Sequence, residues 1–528
     1  MTDKSCYNLS LSQDVAYMQC KYSLYKRVIN ILSSITIDEE VDCELMDQAF
    51  KLLVERNDCL RIRFFKKRGD LMQYFGDSGK NIKKVPVLSF ETKEQQDAFI
   101  DKVRKKTIDY MHGVVIEPYF IHTYDNRYMV FFKICHLVTD LYGINVLYAD
   151  LMNVYNALKK GESLPPAPES FEEIIKKDIE KNSKGNLQEK HLEYFTDLLT
   201  NNPEPFYAGI HGPNNPIWQK QLKKHHRSMP IFLVHNNTQT YRHKIDKDLV
   251  EKVLTYCQNN RCSPANLLFY ANSIALAKLN GNLKNIMPIG LYNCRNSAQE
   301  KRCAGPKVQS AACYTKIDYA LSFEDNLRAF SAAQIGLYRH VKFKDRDFEA
   351  LMHNIYRSSP LLIYYSIAYS LLLVDMPEGV EFNLYTNGNC ALPAYVIQVL
   401  DNKTKEVDMA YDVQTKITSE DDVSNFHTYY LNVLKQLLDN PGIKVADIQL
   451  SLYPQHELLH LVFQLLSKVC SVQQVFPLSK FFYPSLYQDK LELPIPLYLH
   501  TKKPHNELKP LVDIHEYCEL LQILPFLA

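Results

Sequence analysis

The sequence predicts an α/β protein of two lobes of similar size followed by a short irregular tail. Three observations point there. The chain has 528 residues, more than one hydrophobic core usually serves. Helix-periodic and strand-alternating segments succeed one another on both sides of a turn-rich stretch, KGESLPPAP, at 160–168. After residue 466 the pattern stops, and 467–528 are rich in Pro, Tyr and His with no amphipathic period.

In the first half, VDCELMDQAFKLLVERN (41–57) spaces Leu45, Ala49, Leu52 and Leu53 for a helix. Its early acids and later Lys51 and Arg56 suit the helix dipole. CLRIRFFKK alternates and predicts a strand at Leu60–Phe65, with LMQYF as its hairpin partner across KKRGD. Residues 95–110 read as a charged surface helix. PYFIHTYD and YMVFFKICHL are two strands around a DNRY turn. A helix from about 143 to 160 places Ile144, Leu147, Leu151 and Val154 on one face.

After the linker, FEEIIKKDIEKNSKGNLQEKHLEYFTDLL predicts a charged helix pair. A polar, Pro-rich loop over 202–229 follows. Its charge run (Lys220, Lys223, Lys224, His225, His226, Arg227) fits a solvated surface, or contact with a phosphate-bearing partner. Helices are predicted at 247–258, 264–280, 322–340 and 419–439. Strands are predicted at NIMPIGLYN, AACYTKID, 381–400 and 405–412. The most apolar stretch, PLLIYYSIAYSLLLV at 360–374, is shorter than the roughly 20 residues a membrane span needs. It predicts a buried strand pair or a strand and turn.

Composition narrows the function. Hydrophobic residues at 46% and charged residues at 23% are ordinary for a globular protein. A net charge of +1 gives no global field to recruit nucleic acid or an anionic membrane. Only 16 glycines, with no Gly-rich turn after the first strand, argue against a dinucleotide-binding fold and phosphate loops. The 13 cysteines include no C-x-x-C, so zinc-ribbon, thioredoxin-type and disulfide-framework readings are disfavoured. Reduced, mostly buried thiols in a cytoplasmic protein are expected. The N-terminus, MTDKSCYNLSLSQ, lacks the pattern of a signal peptide.

The chemistry-bearing segment is FFKICHLVTDLYGINVLYADL at 131–151. An apolar strand delivers His136, and Asp140 follows four residues later. Histidine exchanges a proton near neutral pH, and a nearby carboxylate fixes its tautomer or braces its loop. Alone, this spacing fits a hydrogen-bonded histidine at a strand end equally well.

Four more segments extend the pattern. LSLSQDVAYMQCKYS carries Gln13. ERNDCLRIRF (55–64) carries Arg56, Leu60, Arg61 and Phe64. NCRNSAQEKRCAG spans 293–305, and DRDFEAL and YRSSPLL fall within 345–362. In this order they resemble the condensation domains of nonribosomal peptide synthetases, members of the chloramphenicol acetyltransferase-like superfamily, over roughly residues 7–465. Asn57 replaces a family histidine, and Cys294 is an insertion between Asn293 and Arg295.

The resemblance implies two acetyltransferase-like lobes in a V-shaped pseudo-dimer: 1–175 carrying the motif, 176–450, and a linker-like tail at 451–528. The tail is then either a broken start of an adenylation domain or a helical tail of a free-standing protein. His136 becomes the catalytic residue. Asp140 becomes its brace, paired with Arg295 or Arg61. Cys135 stands where the family has a first, structural histidine. Leu141 stands where the family has Gly or a small residue, and the resemblance implies that its side chain either narrows the tunnel or shifts the histidine loop. Tyr142, Gly143 and Asn293 are expected to line that tunnel.

The implied reaction joins a carrier-bound acyl thioester to a carrier-bound amine, with no bound cofactor or metal. The implied partners are peptidyl or acyl carrier proteins, with adenylation domains in trans. Ester formation, a coenzyme A donor, and a binding member silenced by Leu141 are the alternatives.

Overall fold

The computed structural model describes residues 5–77, 82–183, 187–231, 236–390 and 392–451. The expectations for the tail beyond 451 lie outside them. Residues 1–450 form one compact unit.

Two sheets organise this unit. The first has five strands, in the order Val380–Tyr385, Asn30–Ile37, Tyr128–Cys135, Ile116–His122 and Val87–Ser89. Tyr128–Cys135 is flanked on both sides and buried along almost its whole length, so apart from Lys133, which pairs with Glu117, it reads as an apolar run rather than an alternation. The helices Cys43–Arg56 and Leu141–Lys160 pack together, contributing Phe50, Leu53, Leu147 and Tyr148 to the first core. Phe132 stacks on Tyr148 with ring centroids 4.7 Å apart.

The second sheet has six strands: Gln309–Ala312, Ile289–Tyr292, Ile367–Val374, Ala394–Asp401, Val407–Gln414 and Thr238–Ile245. Along Ala394–Asp401 buried and partly exposed residues alternate strictly, so one face belongs to the core and the other does not. The helices Pro264–Leu279 and Glu420–Asp439 pack against each other over this second core, which also holds Trp218.

The two cores are not consecutive stretches of chain. The boundary expected at 175/176 falls inside the helix Phe171–Ser183, whose Phe171, Ile174 and Ile175 belong to the first core. The strand Val380–Tyr385 returns from the second half to pair antiparallel with Asn30–Ile37. That return places residues 384–390 between the two sheets, where they border the cavity that holds His136.

Local departures from the expected elements have physical reasons. The strand predicted from Leu60 begins at Ile62, because Asp58–Arg61 form a turn of 3-10 helix. NIMPIGLYN is divided around Pro288, which has no amide hydrogen to give a ladder. The loop at 202–229 contains the helix Pro216–Leu222, capped by Asn215 with proline at its first position. The helix Leu11–Tyr22 has a legible start: Ser10 and Gln13 form a capping box. The segment 360–374 is a short strand, Leu362–Ile363, and a long one, Ile367–Val374. Among the described residues no helix is long and apolar enough to cross a membrane.

Candidate active site

His136 sits one residue past the central strand Tyr128–Cys135. The ladder carries it into position: the Cys135 amide donates to Val115 O at 2.8 Å and the His136 amide to Ile29 O at 2.8 Å. A turn follows, closed by the Val138 amide on Cys135 O at 3.0 Å. One side chain from elsewhere and one of the turn's own fix it. Gln13, fully buried, donates to Leu137 O at 2.8 Å and exchanges two 2.7 Å bonds with Gln73. Thr139 Oγ1 donates to Ala304 O at 2.8 Å.

Asp140 ends the turn and caps the helix Leu141–Lys160, its Oδ1 accepting from the Gly143 amide at 2.8 Å. The same carboxylate holds Arg295 bidentately at 3.0 and 3.1 Å. It also accepts from the Lys307 and Val308 amides at 2.6 and 2.9 Å. Both charged side chains are almost wholly removed from solvent. Burial alone raises a carboxyl pKa, but the Arg295 charge and these hydrogen bonds outweigh it, so Asp140 lies below its ordinary 3.8. The carboxylate is thus ionised, saturated and turned toward Arg295. This arrangement suits a brace and leaves no lone pair free for proton transfer.

Of the two arginines expected as partners, Arg295 is the one that meets Asp140. Arg61 instead donates to Gly76 O at 3.2 Å, tying the turn before its strand to the end of the hairpin. Arg56 and Asn57 also have a structural use: both bind Asp150 on the Leu141–Lys160 helix, at 2.9 and 3.0 Å.

Tyr142, Gly143 and Asn293, the residues expected along a tunnel, each touch the Asp140–Arg295 pair and line neither of the two cavities described below. The Tyr142 ring lies 4.5 Å from the Arg295 guanidinium carbon. Asn293 accepts from Arg295 through its carbonyl at 3.2 Å. At Gly143 a Cβ would meet Ala304 O at 2.1 Å and Thr139 Oγ1 at 2.4 Å, so only glycine lets the helix start approach this loop. Leu141 is the first residue of the helix and is partly buried against the first core. It has no positive φ, so the backbone makes no demand for glycine there, and it does not line the His136 cavity. Cys135 is a fully buried thiol whose pKa burial pushes up. Most of the cysteines among the described residues are buried thiols.

The imidazole of His136 opens onto a cavity of about 840 Å³ that is continuous with solvent. Its Nδ1 is buried with no hydrogen-bond partner among the described residues. Burial lowers the His136 pKa below 6.5, against the smaller opposing pull of Asp140 and backbone carbonyls. The ring is therefore neutral at physiological pH and able to accept a proton. Gln19, Asn30, Asn389, Tyr395 and Asp412 line the same cavity. Sequence reasoning did not find them. They come from distant segments and share no spacing with His136, so only the strand pairing brings them together.

A second cavity of about 700 Å³ is lined by Ser12, Phe171, Asp178, Lys307 and Gln309, among others. Two of its lining residues adjoin groups that hold the turn: Ser12 precedes Gln13, and the Lys307 amide donates to Asp140.

The family model described as Condensation domain matches residues 3–459. The chain is 19% identical over 439 residues to a plipastatin synthase of Bacillus subtilis (strain 168), covering 80% of this chain and 16% of that protein. It thus spans about a sixth of that relative's length. Among solved structures it is similar to the starter condensation domain of rhizomide synthetase in complex with C8-CoA and Leu-SNAC. The TM-score is 0.69 and identity 13%, over 84% of this chain and 97% of that one. The first condensation domain of the calcium-dependent antibiotic synthetase gives a TM-score of 0.69 at 13% identity, over 85% and 100% of the two chains. At these identities the structures establish the fold alone, that of a condensation domain.

Proposed function

The chain belongs to the condensation-domain family, and we propose that it forms an amide bond between an acyl thioester on one carrier protein and an amine on another. The observation that carries this reading is a neutral imidazole, His136, held at a strand end and facing a large open cavity. The acceptor amine attacks the thioester carbonyl carbon. The N–C bond forms, the C–S bond breaks, and the proton lost by nitrogen ends on the departing carrier thiolate. A neutral His136 takes that proton or holds the amine in line as charge develops. Asp140 acts through Arg295 and the helix cap to hold the loop. The second cavity, lined by neighbours of the groups that hold the turn, is the approach assigned to the other substrate arm. No step in this reaction calls for a metal or cofactor.

One alternative has a specific observation behind it: a structural relative carries C8-CoA, so a coenzyme A donor is the second reading. The test is to incubate the purified chain with an acyl-loaded donor carrier or acyl coenzyme A, each with an aminoacyl-loaded acceptor carrier, and to weigh the products. An amide on the acceptor carrier from the carrier donor alone supports the main reading. Product from coenzyme A alone supports the alternative. Absence of any acyl transfer, including to free amines and alcohols, contradicts both.

A further inference from the structure

The cavity that His136 opens onto contains one carboxylate with no cation of its own, Asp412. Strand register puts it there. On the second sheet Tyr395, Asp412 and Thr240 lie directly opposite one another on three neighbouring strands, and residues so paired share a face. Their neighbours in sequence, Val396, Tyr411 and Val413, are fully buried on the other face. Ile397 and Ala410, two residues along, continue the cavity face.

The partners of Asp412 are hydroxyls. Thr386 Oγ1 donates at 3.0 Å and Thr240 Oγ1 at a long 3.4 Å. No Lys or Arg among the described residues forms an ion pair with it. Arg104, whose charge is felt at Asp412, is itself bound to Asp101. Burial therefore dominates and raises the carboxyl to about 6 despite Thr386, Thr238, Thr240 and Arg104. The other lining groups are neutral: amides, hydroxyls, apolar side chains and an imidazole held neutral. A buried carboxylate is costly unless paired, and here the position a cation would take is open cavity.

We propose that Asp412 is a specificity-determining residue, and that the substrate entering this cavity carries a cationic amino group in addition to any amine that reacts. The nucleophilic amine is the wrong partner for it, because an ion pair would hold that nitrogen protonated when attack requires it neutral. A second amino group on the substrate side chain has no such conflict. Its ion pair with Asp412 replaces solvation lost on entry, while the amides and hydroxyls around it accept its remaining hydrogens. This inference rests on the His136 cavity being a substrate site.

The test separates recognition from turnover by measuring binding with stable probes, the N-acetylethylenediamine amides of lysine and of norleucine, which differ by one amino group. Calorimetry at pH 7.5 on the whole chain is expected to give about 10- to 100-fold tighter binding of the lysine probe. Asp412→Asn should bring the two probes to near parity, and His136→Ala should leave the discrimination in place. Equal binding of both probes to the native chain, or undiminished discrimination in Asp412→Asn, overturns the proposal. Circular dichroism shows whether Asp412→Asn has folded. If it has not, Thr386→Val, which removes the 3.0 Å partner of the carboxylate, must change the lysine-probe affinity at least severalfold more than the norleucine-probe affinity, and equal effects overturn the proposal. A chain that discriminates between the probes yet forms no amide from any loaded carrier upholds the cation site and refutes the amide-forming function.

Discussion

Asp140 and His136 are a pair with unequal roles, and the difference is one of solvation and partners. The Asp140 carboxylate accepts five hydrogen bonds, two of them from Arg295. Removing one member of such a buried pair strands the other, at a cost of about 3–5 kcal/mol. Asp140→Ala should therefore lower the stability read from urea curves by that much and abolish activity through the loop. A midpoint within experimental error of native would show that the pair does not hold the fold. Gln13→Ala, which frees Leu137 O, should slow catalysis more than it lowers stability, as steady-state rates set beside urea curves will show. The pH dependence follows from the lowered imidazole. Its neutral form persists below 6.5, so the acid limb of the rate profile should fall below that value. A limb centred above 6.5 contradicts a desolvated His136. The stability contribution of Asp140 has the carboxylate sign. It is present in full above 3.8 and is lost only as pH falls through its lowered folded value, so between about pH 5 and 8 it stays flat.

At the scale of elements, the start of the Leu141–Lys160 helix decides what the loop can tolerate. Gly143 is enclosed by Ala304 O and Thr139 Oγ1. Gly143→Ala must push the helix off residue 304 and should cost about 1–3 kcal/mol, with loss of activity. Leu141 occupies the first helical turn with an ordinary backbone. Leu141→Gly should therefore give no gain in amide formation in a product assay, and a large gain would mean that Leu141 blocks the native site. This helix also shows what the sequence could and could not tell. His136, Asp140 and the helix after them were legible, because an apolar run, a capping residue and a periodic segment are local signals. Arg295 was one of two possible partners, and the sequence could not choose, since the choice depends on the loop 293–308 reaching the helix cap from 155 residues away. Where the Leu141 side chain goes is not legible in the motif itself: the helix begins at that residue, and its side chain packs on the first core. Asp412 and Tyr395 left no sequence signal, because their meeting with His136 depends on the pairing of strands far apart in the chain.

Over the whole molecule, both sheets and both cores belong to one unit through the strand Val380–Tyr385 and the helix Phe171–Ser183. The alternation of helix and strand announced two lobes, but nothing local marks a strand that crosses from one to the other. This exchange predicts that the lobes unfold together. Phe382 packs against the first core, while Trp218, the single tryptophan, reports on the second. Phe382→Ala should shift the Trp218 fluorescence midpoint and the far-UV circular dichroism midpoint equally. A shift in one without the other would mean that the lobes unfold apart. The same exchange brings the second sheet to face His136, which is how one histidine comes to sit in a cavity built from both halves. The most direct test of that account is single-turnover amide formation from loaded donor and acceptor carriers, native chain against His136→Ala, at equal folded content. The account predicts a fall of at least about a hundredfold with the circular dichroism spectrum unchanged. An unaltered rate in the variant would contradict it.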